Sequence, residues 1–491
     1  MTRVIAIVLA VLSAFALILS VSIDPRAIIS PQTAKQIPII PTPTPADRRP
    51  VLSSLLGAVG LASDATATPV AQPITNTNLA VPTTIAFTGQ SIALRPVKAM
   101  PVITSATVNV KLIPDSELVN GPGAVGFDVR AFLAPRAGYI NRYTERVGEQ
   151  LLTGPQIIER VARQFSVNPR LLIALIEFEG SWIDDATPTK DELSLPLRVT
   201  EANRLSKLYW QLTYSASKLN EGYYGKRLGT RTFVESQSKK DYANIPSDLN
   251  AGTAAVQNYL AYAHPKSAWN QVMGNDTQSF VDTYRKLFGD PQQYDKGTPI
   301  PDGTKQPTFA LPWANGQSWH YTGGPHESWT DGSPWGALDF TPPSITGCQP
   351  APEWVLSVSP GYVVNSNNGE VLVSLDPSQD ARVGWGLLYM HISSTGRVKE
   401  GVKIQVGDRV GHPSCEGGQA IAAHLHFARK YNGEWVPAVG KIPFVLDGWV
   451  VFEDDAEFDG KIVKGDITRY AEQMRNLTIN GVPGVVQYFA D

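Results

Sequence analysis

Residues 422–437 read AAHLHFARKYNGEWVP, and this stretch decides what the second half of the chain must be. His424 and His426 flank one leucine in a run that otherwise looks like a strand. Side chains on a strand alternate between faces with a period of two, so both imidazoles point one way and Leu425 points the other. The chain has seven histidines, and all but His264 lie between His320 and His426. From about residue 305, short alternating runs such as EVLVSL, LLYMHI and VKIQV are separated by Gly, Pro, Asn and Asp, the pattern of antiparallel β-structure. The histidines are therefore concentrated in a β-rich region.

Upstream, the texture differs. Residues 150–290 read as helical. TGPQIIERVARQF has Thr153 as N-cap with Gln156 three residues on, a capping-box pattern. NPRLLIALIEFEG begins with Asn168 and Pro169 in favoured N-cap and N1 positions and stops at Gly180. Leu205, Leu208, Leu212 and Leu219 recur at near-helical spacing in the next segment. Before these helices, residues 26–100 are rich in Pro, Thr and Ala and read as an extended, largely disordered linker. Residues 1–25 carry Arg3 and an apolar run from Val4 to Ile23, long enough to span a bilayer. They are read as a signal peptide or an uncleaved membrane anchor, placing the protein outside the cell or at its surface.

A chain of 491 residues exceeds a single core and implies several domains. The expected order is a small ordered segment at 101–149, a helical domain at 150–295, a catalytic β domain at 305–450 and a β extension at 451–491. The fold class expected is multidomain α+β. The formal charge of −3, with no basic run, excludes a nucleic-acid footprint. Two cysteines do not make a disulfide scaffold, but an exported chain can bridge Cys348 to Cys415.

The β region offers the parts of a metal centre. A catalytic zinc site draws three protein ligands from His, Asp and Glu and leaves a fourth position open. His326 lies in the Gly/Pro-rich stretch TGGPHESW, Asp339 in the strand-like WGALDF, and His424 and His426 share one face of HLHF. Histidine, carboxylate and histidine make a plausible tetrahedral site.

From ANGQSWHYTGGPH (314–326) to HLHFARKYNGEW (424–435), the chain resembles the LytM/lysostaphin-type zinc endopeptidases that cut peptidoglycan peptides. It is most similar to their beta-lytic, staphylolysin-like branch. Much of the wider family has its first histidine four residues before the aspartate, where this chain has Trp335. The beta-lytic branch carries that histidine in a GGPH-like loop instead, which His326 matches. The branch's Y-x-H motif is matched by Tyr389–His391, and its PSCEGG stretch by Pro413–Gly418. The resemblance implies Zn2+ held by His326, Asp339 and His426. It implies that His424 orients water or handles its proton, with His391 beside it as oxyanion partner or general base. Which of the two accepts the proton stays open.

The helical segment NPRLLIALIEFEGSW resembles, faintly, the lysozyme-like lytic transglycosylases, with Glu179 at the position of their acid. There Gly180 intervenes before the serine that usually follows. The expectation is thus an exported, monomeric zinc endopeptidase acting on the peptide part of peptidoglycan. Two alternatives stand beside it: a non-enzymatic cell-wall adaptor with a pseudo-active site, and a two-headed hydrolase that also cuts glycan through Glu179. His264, His320 and His412 are read as structural, because ligand geometry is selective.

Overall fold

The computed structural model describes residues 106–200, 207–344 and 346–484. The apolar segment 4–23, the linker 26–100 and Leu205 lie outside the described residues. Among the described residues, no helix is long and apolar enough to cross a membrane.

The first part of the described chain is helical. Its principal helices are α1 (Gly154–Phe165), α2 (Pro169–Gly180), α3 (Leu208–Arg227), α4 (Ala251–Ala263) and α5 (Phe280–Phe288). Both halves of the capping box form at α1: the Thr153 hydroxyl accepts from Gln156 N–H, and the Gln156 side chain reaches back to the cap. Asn168 caps α2 by accepting from Arg170 N–H, and the helix ends at Gly180 with Ser181 left-handed at φ 55°. Ile157, Val161, Leu172, Ile176, Leu212 and Tyr259 are fully buried in the common core. Leu112, Ile113, Leu118 and Leu133, from the segment before α1, join that core. Arg170 forks onto Glu117 there through two 2.7 Å hydrogen bonds.

The second part is antiparallel. Its strands are β1 (Ser318–Glu327), β2 (Trp335–Thr341), β3 (Gly361–Asn367), β4 (Glu370–Ser374), β5 (Trp385–Met390), β6 (Lys403–Ile404), β7 (Leu425–Tyr431) and β8 (Glu434–Trp435). They continue with β9 (Val445–Leu446), β10 (Trp449–Glu453), β11 (Gly460–Lys464), β12 (Ile467–Tyr470) and β13 (Gly481–Pro483). Among the described residues one nine-stranded sheet runs β6-β3-β4-β5-β7-β2-β1-β13, with β8 paired to β7, while β9 to β12 form a separate four-stranded sheet. The mixed helical and antiparallel architecture is as the sequence patterns predict.

The period of two sorts the sheet's faces cleanly. Leu338, Phe340, Leu387, Tyr389, Leu425 and Phe427 point into the β-core. Ala337, Leu388, Met390 and Ala428 point the other way and pack into the helical core. Asp339 and His426 share that second face, opposite each other in register across β2 and β7. The candidate site thus lies on the face that the helices cover, two residues further along each strand. The hairpin tip after β7 anchors the contact: Ser166 Oγ donates to Gly433 O at 2.6 Å, and Arg227 pairs with Glu434 at 3.0 Å.

Candidate metal centre

His426 lies on β7, one residue pair in from the strand's start, opposite Asp339 on β2 and Met390 on β5. His326 reaches the same face by a different device. The GGPH segment is not a free loop but the end of β1, and its pairing with β2 shifts register. Gly323 opposes Asp339 while His326 opposes Ala337, so three steps on β1 match two on β2. That extra residue is a β-bulge, which re-aims the following side chain. The two glycines are required by close approach. A Cβ on Gly323 would meet Asp339 Oδ2 at 2.8 Å, and one on Gly324 would meet Asp459 O at 2.1 Å.

Three candidate ligand atoms converge. His326 Nε2 is 2.9 Å from His426 Nδ1, and Asp339 Oδ1 is 3.4 Å from each. Tetrahedral bonds of about 2.0–2.1 Å set ligand atoms roughly 3.3 Å apart, so this triangle has the size of one face of such a site. Among the described residues these three form the His/Cys/Asp/Glu group able to hold a metal ion.

The outer nitrogens fix the tautomers. His326 Nδ1 lies 2.8 Å from Gly324 O, and His426 Nε2 lies 3.1 Å from Ser328 O. A carbonyl can only accept, so those nitrogens carry protons, and in the neutral rings the inner ones present lone pairs. Two imidazole lone pairs and a carboxylate oxygen then face one another, and Asp339 Oδ1 is buried without accepting any hydrogen bond. A proton on His326 would relieve one edge of the triangle; a divalent cation satisfies all three. The donor set fits zinc, and the carbonyl partners orient the ligands as metal-bound histidines require.

Burial and charge act on these groups in opposition. Burial works against ionising Asp339, but positive charge on the facing His326 and His424 rings, when they are protonated, outweighs it and holds its pKa well below the usual carboxylate range. Burial holds His426 below the ordinary imidazole value. At His326 burial acts the same way, yet the adjacent Asp339 carboxylate raises it overall.

The other two histidines stand beside the triangle. His424 Nε2 is 3.7 Å from Asp339 Oδ1, so both histidines of the HLH stretch do face the same carboxylate. His391 follows β5 in a left-handed conformation at φ 63°, a sparsely populated region for a residue with a side chain. Its ring centroid is 4.5 Å from that of His424. Their Nδ1 atoms lie 3.0 Å from Glu416 O and 2.8 Å from Ala422 O, and therefore donate. Each Nε2 is left as an acceptor. Burial, then the neighbouring His424 and His426, lowers the His391 pKa to about 3, so this imidazole is neutral near pH 7.

The remaining histidines are held by structural partners. His264 meets Glu179, His320 meets Asn480 Oδ1, and His412 meets Glu353 O while packing on Trp354. Cys348 and Cys415 form a disulfide. Glu179 lies fully buried at the end of α2, 2.9 Å from His264 Nε2 and 2.8 Å from Arg198 Nε.

Sequence reasoning reads the β extension as packing on the catalytic domain but assigns no site residue in 454–459, between β10 and β11. Phe458 stacks on His326 with ring centroids 4.4 Å apart, and its carbonyl accepts from Gly324 N–H at 2.7 Å. Glu457 accepts from Glu327 N–H at 3.1 Å. Burial, reinforced by the Glu457 carboxylate, raises the Glu327 pKa to about 8. No local pattern signals this contact, because it joins segments far apart in the chain.

Comparison with known proteins falls in two parts. The family model described as LasA, N-terminal domain, matches residues 111–301, the helical region that reads faintly as lysozyme-like. Protease LasA of Pseudomonas aeruginosa strain UCBPP-PA14 is 25% identical over 348 residues, covering 66% of this chain and 75% of the relative. The same protease from strain PAO1 is 24% identical over 349 residues, with the same coverage. Among solved structures, the deep-sea M23 metalloprotease pseudoalterin matches 34% of this chain and 96% of its own, at 23% identity and TM-score 0.28. The lysostaphin catalytic domain of Staphylococcus simulans matches 25% and 89%, at 22% identity and TM-score 0.19. In sequence, then, the chain is similar to a protease over about two thirds of its length.

Proposed function

We propose that this protein is an exported zinc endopeptidase that hydrolyses peptide stems or cross-bridges of bacterial peptidoglycan, and that it acts as a monomer. The observation that carries the reading is the convergence of His326 Nε2, His426 Nδ1 and the orphaned Asp339 Oδ1, all presenting lone pairs. The protease relatives support it, as do the GGPH, YMH and PSCEGG motifs. The apolar run 4–23 and the disulfide support export.

A zinc ion on these three residues supplies a polarised scissile carbonyl and a water acidic near neutral pH. The chain's own residues do the rest. His424 and His391 present their Nε2 atoms beside the ligands, each with Nδ1 held by a backbone carbonyl. One takes the proton of the attacking water and returns it to the leaving amine. That single proton is shared between the two adjacent rings, and the ring that holds it donates to the oxygen on which charge develops before the amine leaves with it. Phe458 covers one face of the His326 ring.

The helical part is a scaffold and substrate wall in this reading, and glycan cleavage is not assigned to it. A general acid must reach a glycosidic oxygen, whereas the Glu179 side chain is fully buried between His264 and Arg198.

Digestion of purified peptidoglycan tests the proposal. New free amines, without new reducing or anhydro-sugar ends, and one zinc per chain are expected. A folded protein that binds no zinc and releases no amines would establish the adaptor reading instead.

A further inference from the structure

The two kinds of histidine rest on two different parts of the chain. Gly324 and Ser328, at the end of β1, back the metal ligands. Residues 413–418 back the unligated pair. Ser414 donates its N–H and hydroxyl to His391 O at 2.7 and 3.0 Å, and forms an isolated bridge with His424. The Glu416 carbonyl accepts the His391 Nδ1 proton at 3.0 Å.

This short segment is itself pinned on both sides. The Glu416 carboxylate accepts from Ser394 N–H at 2.8 Å and Ser394 Oγ at 2.9 Å. Gly417, at φ 87°, closes against the Asn368 backbone, where a Cβ would sit 2.0 Å from the carbonyl oxygen. Between Ser414 and Glu416 stands Cys415, bridged to Cys348. Gly347, beside Cys348, accepts from Ala423 N–H at 2.6 Å, one residue before His424. His391 needs such support, because its left-handed backbone persists only where its surroundings hold it.

We infer that the Cys348–Cys415 bridge and Glu416 are a positioning device for His391 and His424, mechanically separate from metal binding. The inference rests on the endopeptidase reading. Losing the bridge frees residues 413–418, lets both rings drift, and leaves the ligands untouched. A displacement of about 1 Å in a catalytic group costs on the order of 10²-fold in rate.

The test compares wild type with the double variant Cys348→Ala/Cys415→Ala, with Glu416→Ala and with Glu416→Gln. Zinc content, and kcat and KM on a soluble peptide fragment of peptidoglycan, are measured for each. The double variant is expected to keep one zinc and to lose kcat by about 10²-fold, with KM within about twofold. Glu416→Ala is expected to lose about tenfold in kcat with zinc retained, and Glu416→Gln to recover part of that, since its amide oxygen still accepts from Ser394. Because Glu416→Ala leaves the disulfide intact, it decides the matter if the double variant does not fold.

Imidazole N–H resonances in 15N-labelled protein read the positioning without relying on activity. Those of His391 and His424 are expected to exchange away in the variants, while those of His326 and His426 persist. Unchanged kcat with four unchanged resonances, or loss of zinc together with kcat, overturns the inference. An inactive, zinc-loaded wild type overturns the endopeptidase reading instead, and the resonances still decide the positioning.

Discussion

Asp339 and Glu179 are both buried carboxylates facing histidine, one on the sheet and one at the end of α2, yet they are opposites chemically. Glu179 has a cation on one side, Arg198, and His264 on the other, with Tyr259 OH 3.4 Å away. Asp339 meets three imidazoles, each of which has already given a proton to a carbonyl elsewhere. Each carboxylate has one buried oxygen without a geometric hydrogen bond, Glu179 Oε2 and Asp339 Oδ1, but the first already has the Arg198 guanidinium 2.8 Å away while the second converges on a missing positive charge. Residue types alone do not separate these cases; the direction of each proton does.

The sharpest way to break that contrast is to remove a ligand. His426→Ala and Asp339→Asn are each expected to abolish zinc binding and to lower peptide hydrolysis by about 10⁴-fold or more, measured by metal analysis and by amine release. Full activity in either variant would place the metal elsewhere. Next in size is His424→Ala, which removes an acceptor and no ligand. It is expected to retain one zinc while activity falls roughly 10²- to 10⁴-fold. Loss of zinc there would make His424 a ligand and dissolve the division of labour between the two histidines of HLH.

A pH measurement sharpens the same contrast. The folded-state pKa of His391, about 3, lies below the roughly 6.5 of an unfolded imidazole. The unfolded chain therefore binds a proton first, and stability is full above pH 6.5 and falls as pH drops towards 3. Denaturant midpoints followed from pH 7 to pH 4 should decline, and less steeply in His391→Gln, which has no proton to take up. Equal slopes in both would show that His391 is not the buried neutral ring described above.

How much of this could be read from the sequence depends on how local each cause is. The capping box at Thr153 and the start of α2 at Asn168 and Pro169 were legible, because a cap involves residues three apart. The pairing of His424 with His426 on one face was legible for the same reason, since a strand's period is local. That His326 belongs with them followed from motif resemblance, but how it gets there did not. The bulge between Gly323 and His326 exists only relative to β2, and no single-strand pattern encodes a register shift. Phe458 was invisible for a stronger reason: its contact with His326 depends on β10 and β11 folding back beside β1. The helical part illustrates the converse. A glutamate at a helix end followed by small residues left an acid and a hydrogen-bonded helix-end residue both open, and the three-dimensional partners of Glu179 show it already paired with His264 and Arg198.

That occupation supplies the smallest expected effect and the cleanest check on the contrast. Glu179→Gln keeps the side chain's shape and one acceptor but removes the charge opposite Arg198. Arg198 is 56% exposed and can turn to water, so the cost is moderate, about 1–3 kcal/mol for a charged hydrogen bond lost from a buried acceptor. A thermal melt should shift down by several degrees, while zinc content and peptide hydrolysis stay within about twofold of wild type. The informative alternative is a digest in which wild type releases anhydro-sugar ends and Glu179→Gln does not. The buried cluster would then open during turnover, and satisfaction in the resting structure would no longer distinguish a structural carboxylate from a catalytic one.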